Sequence, residues 1–153
     1  MAGRGGDPSP VPRGGCLLTE QSPSLLVGGR ILDAGAVASW TAGELAIQSW
    51  LTVAPVLGLT FLLPELAVTE THTLRPHAGI AVEELVSHPH VVVTQMSSAD
   101  AAGVEELLAT SRTFDVMAGW VVHLCRQRGW NALTTDPSRL QRIDPQVPTE
   151  LLL

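Results

Sequence analysis

Short uncharged apolar runs alternate along this chain with longer segments of helical character, and that alternation limits its fold more than any other feature. Arg30-Ile31-Leu32 reads as a short buried strand ending at Asp33. Gly43 to Leu51 then reads as a helix and Leu59 to Leu63 as a second strand, with Pro64 placed for the first turn of a helix that runs through Glu70. His77 to His88 reads as helical, with Ile80, Leu85 and Val86 on one side, and Val91-Val92-Val93 as a β-branched strand. Ser98 is a suitable N-cap for a helix over Ala99 to Ala109. The clearest helix runs from Asp115 to Arg128, with Val116, Trp120, Val121, Leu124 and Cys125 as its apolar face and Gly129 as its stop. Asn131 to Thr135 reads as a strand ending at Asp136, Pro137 to Leu140 as a turn or short helix, and Val147 to Leu152 as a last strand.

Strands too short and apolar to face water, separated by helices, imply an α/β fold of three layers. A central, mostly parallel sheet lies between helices on both faces. The 153 residues suffice for one such domain, and a chain of this length buries roughly two-thirds of its unfolded surface. Residues 1–24, rich in Gly, Pro and Ser, have no apolar period and read as a disordered or mis-annotated tail, with the domain over 25–153. The stretch Leu45 to Pro64 is uncharged for 20 residues, long enough to be weighed as a membrane span. Its two prolines, its polar residues and its Glu44 and Glu65 flanks favour a buried helix followed by a buried strand. With no secretory signal and only Cys16 and Cys125 as cysteines, a reducing cytoplasm is the expected setting, without membrane attachment.

Charge narrows the chemistry. All nine basic residues are arginine, so a lysine-dependent phosphate loop or Schiff-base enzyme is excluded. A net charge of −6 argues against holding nucleic acid by bulk charge, yet suits carboxylates gathered around divalent cations. In parallel sheets ligands bind beyond the carboxyl ends of the strands, and Asp33 and Asp136 stand there. Glu70, on the helix after the second strand, and Asp115, at the start of the clearest helix, are candidates to join them. Each also has a plainer role open to it, capping a helix or lying on a solvated face. Hard divalent cations take several oxygen ligands, and a pair of them can drive in-line displacement at a phosphodiester.

The segments ILDAGAVASW, LLPELAVTET, TFDVMAGWVVHLCRQRGWNALTTDP and RLQRIDP resemble the PIN domain, above all its small bacterial toxin ribonucleases of VapC type, from about residue 28 to the end. The third segment is the most specific: an acid opening a helix, a basic-Gly turn, a strand, then Thr-Thr-Asp-Pro. The resemblance implies a metal-dependent endoribonuclease whose Asp33, Glu70, Asp115 and Asp136 bind Mg²⁺ or Mn²⁺ and whose Thr134 helps fix the site. It also implies an RNA substrate, a toxin–antitoxin pairing in which an antitoxin protein masks the acids, and a homodimer. Two departures stand out: Ala34 and Gly35 occupy positions where the family often has Ser or Thr, and the chain begins well before its first strand. Glu65 is a rival for the second acid, and Glu70 is preferred because the family places that acid deeper in the helix.

Other readings remain open beside this one. A PIN-like module that binds protein or RNA without cutting is the alternative function. A phosphatase of haloacid-dehalogenase type, with Asp33 as nucleophile, would want an acid where Gly35 stands. Arg112, Arg126, Arg128, Arg139 and Arg142 are expected mostly on solvated surface, with phosphate contacts as the functional option. Five histidines lack the cysteine partners and spacing of a zinc finger. Trp50 and Trp120 fit core positions, whereas Trp40 and Trp130 fall near loops where they could serve an interface.

Overall fold

A computed structural model of the protein describes residues 28–153; the expected tail, Cys16 and the first residues of the expected domain lie outside them. Five strands form one all-parallel sheet in the order β3-β2-β1-β4-β5. These are β1 (Gly29–Leu32), β2 (Thr60–Pro64), β3 (Val91–Thr94), β4 (Asn131–Thr134) and β5 (Thr149–Leu151). Seven α-helices cover the sheet: α1 (Ala34–Thr41), α2 (Leu45–Leu57), α3 (Glu65–Leu74), α4 (Gly79–Val86), α5 (Ser98–Ser111), α6 (Val116–Arg128) and α7 (Pro137–Gln141). The three-layer α/β architecture expected from the alternation is the one observed.

The strand order turns back at β1. From β1 the chain builds outward through β2 to β3, then crosses over by α5 and α6 to add β4 and β5 on the other side. Such a reversal leaves a crevice at the carboxyl ends of the two strands that flank it, because their following helices diverge. Register makes those ends level: Ile31 pairs with Ala132 and Leu32 with Leu133, so Asp33 and Thr134 emerge side by side.

The core is continuous. Ile31, Leu32, Phe61, Leu63, Leu133 and Leu140 are fully buried, and Trp120 is 1% exposed. Helix α6 is enclosed on most sides, since Met117 to Val122, Leu124 and Cys125 are all buried. That enclosure corrects its expected face: Val116 is 43% exposed, and the helix has no solvent stripe along its first two turns. Ile80, expected on the buried side of α4, is 80% exposed, while Val82 and Leu85 turn inward.

Several boundaries also differ from expectation. Helix α1 has no signature in the sequence, because AGAVASWT offers neither a polar face nor a period in eight residues. Helix α2 begins at Leu45 and continues through Pro55 to Leu57, well past Leu51. Pro64 ends β2 and caps α3 rather than lying in its first turn. Ser97, not Ser98, caps α5, and its hydroxyl and the Asp100 carboxylate exchange hydrogen bonds with each other's backbone N–H in a capping box. The uncharged stretch from Leu45 divides into α2 and β2, and among the described residues no helix is long and apolar enough to cross a membrane.

Three tryptophans close the edges of the core. Trp50 meets Phe61 edge-on at 6.5 Å and lies 5.1 Å from the Arg30 guanidinium. The Trp40 indole N–H donates to the Ala81 carbonyl at 2.8 Å, joining α1 to α4. Trp130 packs over Gly29, where a Cβ would lie 2.4 Å from the Thr60 carbonyl oxygen and 2.5 Å from the indole ring. Neither neighbour is a flexible chain end, so Gly29→Ala forces β1 away from β2. The expected loss is about 1–3 kcal/mol of stability by urea unfolding; a midpoint equal to wild type would show that the strand tolerates the methyl group.

Candidate active site

The site follows from the strand ends. Directly after β1, Asp33 is the N-cap of α1 and accepts a hydrogen bond from the Ala36 N–H at 2.9 Å. Asp115 caps α6 in the same way, through the Ala118 N–H at 3.1 Å. The plain capping role is therefore real for both. It uses one oxygen of each carboxylate.

Arg139 connects the acids. From α7 its guanidinium reaches Asp115 through Nε at 2.6 Å and Nη2 at 3.0 Å, and Glu70 through Nη1 and Nη2, each at 2.7 Å. Such bidentate, charge-assisted pairs are among the stronger polar contacts in proteins. Glu70 is thus the acid that α3 brings to the site, and Glu65 is not; Glu65 lines a separate groove with Leu66, Gln95, Val116 and Trp120. The expectation that Arg139 is one more solvated arginine is corrected: it is 27% exposed and reaches Glu70, 69 positions away in sequence.

Asp33 has no such partner. It is 2% exposed, and burial pushes its carboxyl up to about 6, against the opposing pull of the Thr134 hydroxyl, the Ala36 N–H and the Arg139 charge. For Asp115, partial burial works upward. The Arg139 hydrogen bonds, the Ala118 cap and the charges of Arg139 and Arg142 outweigh it and hold the group below the usual carboxylate range. Two acids of one type thus sit in opposite environments within one crevice, an asymmetry common at functional sites.

Thr134 is fully buried at the end of β4, and its hydroxyl accepts from the Asp136 N–H at 2.9 Å, fixing the turn that presents Asp136. The Asp136 carboxylate accepts from the Ser138 hydroxyl at 2.5 Å. That hydroxyl and the charge of Arg142 help hold Asp136 below its ordinary value, and the same arginine acts on Asp115. Asp136 is the most outlying of the four acids, at the open rim of α7. Thr135 explains the missing Ser or Thr after Asp33. A Cβ at Gly35 would lie 2.5 Å from the Thr135 hydroxyl and 3.3 Å from the Asp33 carboxylate, so the hydroxyl of the residue just past β4 stands where a side chain at 35 would.

A hollow of about 220 Å³ opens beside these groups, lined by Gly35, Ala38, Glu70, Thr71, Arg75 and Arg139. Larger hollows lie elsewhere, including one between α5 and α6 lined by Gly103, Glu106, His123 and Arg126. The assignment of the site rests on charge and topology, not on cavity size. His123 is held by Asp100 at 3.1 Å, away from the acids at the strand ends, and Cys125 is buried with its thiol pushed up to about 12 by desolvation, so it offers no thiolate.

As they stand, no three His, Cys, Asp or Glu side chains among the described residues are close enough together to share a metal ion. The donor set nevertheless suits a hard divalent cation: oxygen ligands from separate elements, with a guanidinium already seated as the positive charge between two of them.

No family model matches the sequence, and no curated protein sequence matches it. Solved structures do. VapBC2 from Rickettsia felis, bound to a DNA fragment from its promoter, superposes with a TM-score of 0.61 at 11% identity, covering 80% of this chain and 98% of the other. FitAB bound to an IR36 DNA fragment gives 0.55 at 13% identity over 79% and 93%, and FitAcB from Neisseria gonorrhoeae gives 0.53 at 14% over 78% and 94%. At such identities the likeness speaks for the fold alone, and on that ground this chain has the PIN-like fold of the VapBC2, FitAB and FitAcB structures.

Proposed function

We propose that the protein is a metal-dependent endoribonuclease, the toxin of a toxin–antitoxin pair, with Asp33, Glu70 and Asp115 at the centre of the metal site and Asp136 at its rim. The observation that carries this reading is the meeting of acids from α3 and the start of α6 on one guanidinium, whose charge also acts on the buried Asp33 that follows β1, at the point where the strand order reverses. Mg²⁺ or Mn²⁺, when bound, supplies the Lewis acid for in-line displacement at a phosphodiester. Asp33, anchored by its cap and by the Thr134 hydroxyl, presents a carboxylate whose orientation is set before any ligand arrives. Thr134 holds the Asp136 backbone, and Arg75, beside Glu70 in the hollow, offers a cation for an RNA phosphate.

The toxin setting is supported by the similar solved structures, which pair VapB with VapC and FitA with FitB, two of the three on DNA. A folded antitoxin covering the acidic crevice and a homodimer belong to the same proposal, as does a cytoplasmic location.

Asp33→Asn and Asp115→Asn are expected to reduce Mn²⁺-dependent cleavage of single-stranded RNA by roughly a hundredfold or more, with an unchanged circular dichroism spectrum. Cleavage by either variant at the wild-type rate, or wild-type cleavage that survives chelation, would contradict the proposal.

Asp33 carries a further consequence for stability. Its folded carboxyl lies at about 6, above the 3.8 ordinary for an aspartate, so the folded state binds the extra proton between those values. Without metal, stability therefore falls as pH rises through that window, by up to about 3 kcal/mol in all. Asp33→Asn lacks this penalty. In urea unfolding without metal it should be the more stable protein at pH 7.5 and no more stable than wild type near pH 4. Equal stability at both pH values would show that the buried carboxylate is not strained.

A further inference from the structure

The Arg139 guanidinium occupies all four oxygens of two acids. Nε and Nη2 take both oxygens of Asp115, and Nη1 and Nη2 take both oxygens of Glu70, at 2.6 to 3.0 Å. A small divalent ion binds carboxylate oxygens at about 2.0–2.1 Å. Each oxygen has a second lone pair, and Asp115 Oδ1 already accepts from both Ala118 and Arg139, so the conflict is one of charge: a guanidinium within 3.0 Å of these oxygens repels a divalent ion that approaches them. We propose that Arg139 is a tethered competitor for the divalent cation, so that Glu70 and Asp115 accept the ion only when the guanidinium swings out; this deepens the nuclease reading and rests on it.

The surroundings of Arg139 permit that exchange. It stands on α7, five residues long, and its side chain is 27% exposed rather than locked in the core. The hollow of about 220 Å³ lies directly beside it, walled by Gly35 and Ala38, which leave the guanidinium room to move. Asp33 provides the reason for the ion to win: it is 2% exposed and receives no hydrogen bond from Arg139, so the arginine neutralises two acids and leaves the buried third without an ionic partner. A divalent ion brings the charge the third acid lacks. In the absence of metal the same clasp keeps two like charges from repelling each other. The apparent metal affinity is then the intrinsic affinity reduced by the fraction of molecules with the clasp open.

A purely structural ion pair predicts a different outcome, and the two are separable by calorimetry. Mn²⁺ is titrated into metal-stripped full-length wild type, Arg139→Ala, Arg139→Lys and Arg142→Ala. Arg142 is the control for general charge, because it acts on Asp115 and Asp136 through space while Arg139 alone forks onto Glu70 and Asp115. Arg139→Ala is expected to bind Mn²⁺ roughly tenfold or more tightly than wild type, and Arg142→Ala within about threefold of it. Arg139→Lys, whose ammonium cannot fork onto both carboxylates, is expected between them; should the alanine variant fail to fold, this one decides alone. Tightening no greater than that of Arg142→Ala would overturn the competition while leaving the nuclease reading in place. An absence of Mn²⁺ binding in every variant up to millimolar concentration would overturn both.

Discussion

Carboxylates gathered at one edge of a sheet repel one another unless a positive charge stands among them, and in this chain the positive charge is Arg139. The guanidinium pulls α3 and α6 toward α7 through Glu70 and Asp115, and so closes the crevice that the strand reversal opens. Buried and half-buried charges are tolerated when paired and hydrogen-bonded, and are costly otherwise. Asp33 marks the limit of what one arginine can do: it is more deeply buried than the other acids, yet it has a hydroxyl and a cap where they have a counter-charge.

That arrangement ties the fold to its proposed chemistry. The level ends of β1 and β4 bring Asp33 beside Thr134, so the pairing register of the sheet sets which groups meet. Gly35 leaves space for the Thr135 hydroxyl, and Thr134 fixes the turn carrying Asp136. Each contact is local backbone geometry as well as site geometry, which is why one residue serves both as a helix cap and as an acid of the crevice. A carboxylate raised by burial is a strain that sites tend to keep, since the function that needs it offsets the lost stability.

Much of this was legible in the sequence because it depends on local pattern. Short apolar strands followed by acids place Asp33 and Asp136 at the carboxyl edge without any structure, Glu70 and Asp115 are candidates from their places on the helices that follow, and the resemblance to PIN domains gives all four a common role. What escaped reading depends on partners far away in the chain. Arg139 looks like any surface arginine until α3 and α6 are folded against α7, a pairing 69 positions apart. Helix α1 hides because a short element buried on several sides has no polar stripe, and Ile80 is exposed because α4 turns Val82 and Leu85 inward instead. Ser97 and Ser98 are equally good caps by type, and only the reciprocal bonds with Asp100 select the first.

The central claim is that the acids after β1, in α3 and at the start of α6 form one cation site now held shut by an arginine. Anomalous diffraction from crystals grown with saturating Mn²⁺ tests it most directly. The account predicts a manganese peak in contact with Asp33 and Asp115, with the Arg139 guanidinium displaced from both of its carboxylates. A crystal in which Arg139 keeps its forks and no peak lies beside Asp33 would contradict it.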